Sequence, residues 1–173
     1  MSRIFGPMRQ IGFVVHDIEK AMDHWVKVCG IGPWFYAERY AITEFVYRGK
    51  RYDDLVASVA MSHSGEMQIE LIQQRSETPS LFRDFIRTGH EGMHHWAAWP
   101  EEYDAVREKA LQAGFKIGQE GSLPRGRYAF FEDLGVPGAV VELSEMTPAR
   151  REISPRIAEA ALNWDGRDPI RRV

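Results

Sequence analysis

Two glutamates, each set in the middle of an apolar run, constrain this chain more than any other feature. Gln68-Ile69-Glu70-Leu71-Ile72 and Val140-Val141-Glu142-Leu143-Ser144 both read as strands, rich in residues that suit a buried pleated surface. Desolvating a carboxylate in such a strand costs several kcal/mol, on the order of a whole salt bridge, unless the group is paired or bound to a cation. One such glutamate could be held by a neighbouring arginine or face a half-wet sheet. Two of them, at equivalent places of a repeated pattern, point to a shared task.

The repeat is legible along the chain. Met8 to Val15 reads as a strand, followed by Asp17 as a helix N-cap and by Ile18, Ala21, Met22, Trp25, Val26 and Cys29 at helical spacing until Gly30. Three strand-like runs come next, Trp34 to Tyr47, Leu55 to His63 and Glu66 to Gln73, the last two joined by the turn pair Ser64-Gly65. Thr78 to Thr88 forms a connecting helix closed by Gly89. The order then returns: a strand from Met93 to Trp99, a helix from Glu101 to Ala113 stopped by Gly114, and strands at Phe115 to Gln119, Tyr128 to Glu132 and Ala139 to Met146. Each half is therefore β-α-β-β-β, over residues 8–75 and 92–146. Superposing the two openings sets Gln10 opposite His95.

The second opening, Gly92-Met93-His94-His95-Trp96-Ala97-Ala98-Trp99, carries adjacent histidines. Neighbours in a strand point to opposite faces, so only one of His94 and His95 is expected to look inward. His16, His24, His63 and His90 sit at loop or helix positions and are read as surface residues.

At 173 residues, 44% of them hydrophobic, the chain is long enough to bury a core as one compact unit or two small modules. A net charge of -3, with no cluster of Lys and Arg interleaved with aromatics, argues against nucleic acid as a partner. No apolar run approaches the length of a membrane span, and Met1 to Pro7 has no apolar core of signal-peptide length. With one cysteine, Cys29, an internal disulfide is excluded, and a cytoplasmic protein is expected. Cys29 is expected to fill a small buried place in the last turn of the first helix. From Thr147 the composition shifts to Arg150 and Arg151, a short helical pattern from Ile157 to Leu162, and Trp164. Residues 147–173 are read as a tail that straps across the domain or a subunit partner and carries no chemistry.

Two β-α-β-β-β modules, each with a candidate ligand on its first and last strand, resemble the vicinal oxygen chelate superfamily in its glyoxalase I and methylmalonyl-CoA epimerase branches. The resemblance covers Met8 to Met146 and is most specific at Gly92 to Ala98 and Gly135 to Glu145. It implies an α+β fold, a U-shaped half-open barrel of mixed strands with helices outside, and one divalent metal held by Gln10, Glu70, His95 and Glu142. Gln, Glu, His and Glu is the set of the zinc-type eukaryotic glyoxalase I, whereas epimerases and bacterial glyoxalases usually begin with His. His95 is favoured over His94 because the family's ligand directly precedes the apolar Ile/Trp-Ala pair; His94 then points outward. An amide oxygen, an imidazole and two carboxylates suit zinc first, and nickel, cobalt, manganese or magnesium, rather than copper.

By the same resemblance, the activity is abstraction of a proton α to a carbonyl by an isomerase, epimerase or lyase. Glu142 is the expected general base, with Glu70 as its partner on the opposite face. Bulky apolar residues occur in both halves, and Trp34, Tyr36, Trp96 and Phe130, with Arg127, are candidates for touching a small apolar or aromatic carbonyl substrate. Arg125 and Arg127, flanking Gly126, either grip a carboxylate or phosphate or are simply solvated. The superfamily also holds ring-cleaving dioxygenases, which generally bind iron through two His and one Glu, and binding proteins that lack metal ligands. One His and two Glu disfavour the first, and four intact ligand positions the second. Family members are often dimers, and a homodimer is expected here.

Overall fold

In the computed structural model, which describes residues 1–132 and 140–173, alternating patterns become strands and the capped apolar stripes become helices. The first half supplies β1 (Gln10–Val14), α1 (Ile18–Lys27), β2 (Trp34–Tyr40), β3 (Thr43–Tyr47), β4 (Lys50–Arg51), β5 (Ala57–Ser64) and β6 (Met67–Gln74). The connecting helix α2 (Leu81–Arg87) leads to β7 (Gly92–Ala98), α3 (Tyr103–Gln112), β8 (Lys116–Leu123), β9 (Gly126–Glu132) and β10 (Val140–Ser144). The chain closes with α4 (Pro148–Leu162) and β11 (Ile170–Arg172). Asp17, Ser80 and Thr147 cap α1, α2 and α4 by accepting the backbone N–H of the third residue on. Residues 135–139, part of the stretch that carries the resemblance and including Ala139 at the expected start of the last strand, lie outside the described residues.

All the strands join one mixed sheet in the order β11-β2-β5-β6-β1-β7-β10-β9-β8-β3-β4. β1 and β6 run parallel, as do β7 and β10, while β1 and β7 meet antiparallel at the centre. The sheet is an α+β, half-open barrel. The run from Trp34 to Tyr47 is not one strand: it breaks at Ala41 and Ile42, and β3 pairs with β8 of the other half. β2 and β3 thus lie near opposite ends of the strand order though joined by two residues, which requires the sheet to curl into a U.

Pairing parity decides which residues face in. On the convex side, α1 packs Ile18 and Met22 on Trp34, Tyr36, Ala60, Ile69 and Leu71, and α3 packs Tyr103 and Ala110 on Ala129, Phe131, Val141 and Leu143. On the concave side, Val14, Val59, Met61, Ile72, Tyr128 and Phe130 form a third cluster with Leu81 and Phe82 of α2 and Ile157 of α4. The tail helix is 15 residues long, much longer than the expected Ile157 to Leu162. Its buried positions, Arg150, Ser154 and Ile157, follow helical spacing, but two are polar, so an apolar stripe was never visible. Cys29 lies beyond the end of α1 and is exposed, not buried. No helix among the described residues is long and apolar enough to cross a membrane.

Candidate metal centre

The four polar residues singled out in the strands meet on the concave face because their registers interlock. Gln10 lies opposite Gln68 and Gly12 opposite Glu70 in the β1/β6 ladder, while Gly12 lies opposite His95 in the β1/β7 ladder. Val140 lies opposite His95 in the β7/β10 ladder, and Glu142 is two residues further on. Since residues i and i+2 share a face, Gln10, Glu70, His95 and Glu142 all project inward from the two central parallel pairs. His95 Nε2 is 3.0 Å from Glu142 Oε2 and 3.6 Å from Glu70 Oε2, and the ligand atoms of the three residues lie within 4.8 Å of one another. Donor atoms on a cation with bonds of about 2.1 Å are spaced about 3.0 to 3.4 Å when neighbouring, so this spacing is close to a coordination shell.

Burial makes the cluster demanding. Gln10, Glu70, His95 and Glu142 are only 1, 7, 1 and 5% exposed. Gln10 Oε1, His95 Nε2 and Glu142 Oε2 are buried without a hydrogen-bond partner, the 3.0 Å contact lacking the alignment of a hydrogen bond. Each such orphan costs on the order of 1 to 3 kcal/mol, and a hard divalent cation held with Glu70 would satisfy the His95 and Glu142 atoms together, with the Gln10 oxygen free on the same face. The adjoining chamber, bordered by Glu70 and Glu142 and walled by Val59, Ile72, Phe82 and Phe130, has a volume of about 30 Å³, room for a water or a small ion. The donor set therefore fits one small cation.

Neighbouring groups set the polarity of each donor. Gln10 Nε2 donates to Gln68 Oε1 at 2.9 Å, and Gln68 Nε2 lies 3.2 Å from His63 Nε2. His63 is buried, not on the surface, and burial lowers its pKa, so a neutral ring can accept from Gln68. That chain holds Gln10 with its oxygen free. Ser144 donates its hydroxyl to Glu142 Oε1, which leaves Oε2 directed at His95. Burial alone would lower the His95 pKa, but Glu142 and Glu70 outweigh it and raise the value to about 9. Burial raises the Glu142 carboxyl; His95, Ser144 and Arg150 outweigh that and hold it below its ordinary range.

His94 overturns the alternation argument. Gly12 pairs with His95 and Phe13 with Met93, so His94 is the extra residue of a β-bulge and is turned inward with its neighbour. It is buried against Phe82, Phe85 and Phe130, and its Nδ1 lies 3.1 Å from Nδ1 of His95. Burial and the His95 charge push its pKa down to about 3, so it stays neutral and can accept the His95 Nδ1–H, which frees Nε2. Gly12 was a readable sign of this packing: a β-carbon there would sit 1.9 Å from His95 Cε1.

Of the five candidate substrate contacts, only Phe130 borders the chamber, its ring 4.8 Å from that of His95. Trp34 and Tyr36 lie under α1, with the Tyr36 hydroxyl on Glu19, because the odd-numbered Phe35 faces Met61 and so takes the inner side. Trp96 follows the inward His95 and packs on the outer face against Phe5. Arg127 is half-exposed, paired with Asp104 and Glu145 and stacked on Tyr103, away from the chamber. Parity counted from His95 along β7 would have excluded Trp96 in advance. Sequence reasoning missed Arg150, which α4 buries near Glu142 and over Trp99, its guanidinium 5.2 Å from the ring centre. Burial and the nearby Arg125 lower its pKa to about 10, against the pull of Glu142.

A half-open barrel with a buried imidazole, two carboxylates and an amide at its centre is the architecture of a paired-module protein with a candidate metal site. Residues 9–131 match the model of the Glyoxalase/Bleomycin resistance protein/Dioxygenase superfamily, and the chain belongs to that superfamily. No curated protein matches the sequence. Among solved structures, a hypothetical protein from Bacillus halodurans C-125 is similar over 82% of this chain and 94% of its own, with a TM-score of 0.61 at 20% identity. The methylmalonyl-CoA epimerase from Mycobacterium tuberculosis is similar over 88% of this chain and 95% of its own, with a TM-score of 0.61 at 15% identity. A methylmalonyl-CoA epimerase in complex with methylmalonyl-CoA and NH4+ covers 82% of this chain and 95% of its own, with a TM-score of 0.56 at 15% identity. At these identities, the likeness shows the fold.

Proposed function

We propose that this protein is a divalent-metal-dependent isomerase, epimerase or lyase that moves a proton on the carbon next to a carbonyl. The observation that carries the proposal is the set of orphaned, inward-facing donors: Gln10 Oε1, His95 Nε2 and Glu142 Oε2, with Glu70 beside them. A bound cation, zinc first among zinc, nickel, cobalt, manganese and magnesium, would draw charge from the substrate's carbonyl and lower the cost of the developing negative charge by several kcal/mol. Glu142 is the base: Ser144 holds Oε1, and Oε2, partly released from the cation as substrate binds, takes the proton. Glu70, on the partner strand across the chamber, returns a proton from the other side in a reaction that needs two bases. The Phe82, Phe130, Val59 and Ile72 walls keep the surroundings of the reacting atoms apolar, and the neighbouring apolar cavity of about 300 Å³, which shares Tyr40 and Val59 with the chamber, has room for the body of an apolar or aromatic carbonyl compound.

The same reading takes residues 8–75 and 92–146 as two copies of one module and 147–173 as an added tail. Support comes from the matching ladder partners Gln10 with Gln68 and His95 with Val140. It also takes the protein to be a cytoplasmic homodimer, a point for sedimentation and fractionation to check; the lone exposed Cys29 suits a reducing compartment.

The test is metal analysis of the purified protein followed by α-proton exchange in deuterated water over small carbonyl acids and thioesters, methylmalonyl-CoA included. Zinc or a similar ion at one per chain, and exchange that disappears in Glu142→Gln while metal is retained or weakened, is the expected result. Exchange undiminished in Glu142→Gln would remove the assigned base, and iron with oxygen uptake would replace the reading with a dioxygenase.

A further inference from the structure

The concave face holds a second polar group that the proposed chemistry leaves unused. Arg125, in the turn between β8 and β9, and Arg150, in the first turn of α4, are 4 and 1% exposed. Arg125 Nε donates to the Tyr40 hydroxyl at 2.8 Å, and Arg150 Nε donates to the Glu145 carbonyl at 3.0 Å. Arg125 Nη1 and Arg150 Nη2 have no hydrogen-bond partner, and neither guanidinium forms an ion pair among the described residues. A buried, unpaired cation is costly to maintain, and two close together compound the cost. Beside Arg125 lies a cavity of about 300 Å³, lined by Arg125 and Arg156 together with Phe35, Val59, Met61 and Ile157; Arg156 is exposed and lies 3.6 Å from Glu152, whereas Arg125 is buried. Tyr40 and Val59 border both this cavity and the small chamber at Glu70 and Glu142, so the two spaces are neighbours.

An apolar cavity edged by a guanidinium that no carboxylate neutralises is shaped for an apolar body ending in a single anionic group. We infer that it receives an apolar carboxylic acid, the carboxylate taking the Arg125 guanidinium where that residue lines the cavity and the body lying along Phe35, Met61 and Ile157, so that the substrates of the adjoining centre are acids. A carboxylate suits the site better than a phosphate, whose three oxygens and higher charge would need more donors than one buried guanidinium supplies. The link to substrate rests on the activity proposed above; the anion site itself does not.

The experiment titrates 3-phenylpropionate and its neutral counterpart 3-phenylpropionamide into the full chain, both zinc-loaded and chelated, followed by NMR. The acid is expected to bind at least tenfold more tightly than the amide in both forms, with phenyl contacts to Phe35 and Ile157. Arg125→Gln is expected to abolish the preference and leave amide binding in place, while Arg125→Lys keeps part of it. Equal affinity of acid and amide in the wild-type chain, no binding of either, or a preference surviving Arg125→Gln would overturn the inference. The wild-type comparison stands even should Arg125→Gln fold poorly. An acid preference in the chelated protein upholds the anion site even where no metal loads and no proton exchanges. Exchange on neutral carbonyl compounds without any acid preference removes the anion site alone.

Discussion

Gly12→Ala offers the sharpest test of how the centre is built. The added β-carbon would stand 1.9, 2.1 and 2.6 Å from Cε1, Nε2 and Nδ1 of His95. Carbon atoms in contact need about 3.5 Å, so the ring must retreat by roughly 1.5 Å, whereas a ligand tolerates on the order of 0.2 to 0.5 Å. Retreat is opposed by Phe130, whose ring centre is 4.8 Å away. Gly12 sits in ordinary strand backbone, where alanine by itself would be harmless or would stabilise by about 0.4 to 1 kcal/mol. We therefore expect Gly12→Ala to cost about 1 to 3 kcal/mol by overpacking, seen as a melting point lower by roughly 2 to 12 °C. Zinc affinity, measured by competition with a chelator, should fall about 100-fold or more. In a His95→Ala background the ring is gone, so the stability cost should vanish or change sign. A Gly12→Ala chain that binds zinc as tightly as the wild type, or a cost that persists without His95, would refute the packing argument.

Three further outcomes follow from the same geometry. His94→Phe keeps a ring among Phe82, Phe85 and Phe130 but removes the acceptor for His95 Nδ1; zinc affinity should drop about 10- to 100-fold, and an unchanged affinity would show that His94 does not orient its neighbour. Because the His95 pKa is about 9 without metal, the ring is protonated at pH 7; zinc uptake should release close to one proton, by calorimetry in buffers of different ionisation enthalpy, and affinity should rise with pH until about 9. The same raised value stabilises the metal-free fold fully below the ordinary histidine value near 6.5 and is lost as pH climbs through 9. The resulting decline, about 3 kcal/mol, should appear in urea unfolding of the chelated protein and be absent when zinc is bound.

Much of the centre could be read from the chain because strands write their faces into alternate residues. Glu70 and Glu142 stood out as charges in apolar runs, and the repeat tied them to Gln10 and His95, so a shared inner face was implied before any pairing was known. The strand-helix order, the cap at Asp17 and the stop signal at Gly30, two residues beyond the C-cap Val28, were local signals of the same kind. What failed depended on counting across strands. His94 was sent outward by strict alternation, but the ladder inserts it as a bulge opposite Gly12, and both histidines turn in. Trp34 and Tyr36 looked like pocket walls by bulk alone, and only the pairing of Phe35 with Met61 assigns them to the far side.

The sequence by itself determined which residue types had to be sheltered together: two acids, an imidazole and an amide, repeated in matching strands whose desolvation demands a common partner. Tertiary structure alone decided how they are served. It folded α4 back over β5, burying Arg150 where an arginine-rich tail gave no apolar stripe to predict it, and it left Arg125 unpaired beside an apolar cavity. The physical reason is that alternation and helical spacing record only a residue's own element. Bulges, the crossing of β3 to β8 and the burial of a distant cation are properties of pairs of elements, and become definite only when those elements meet.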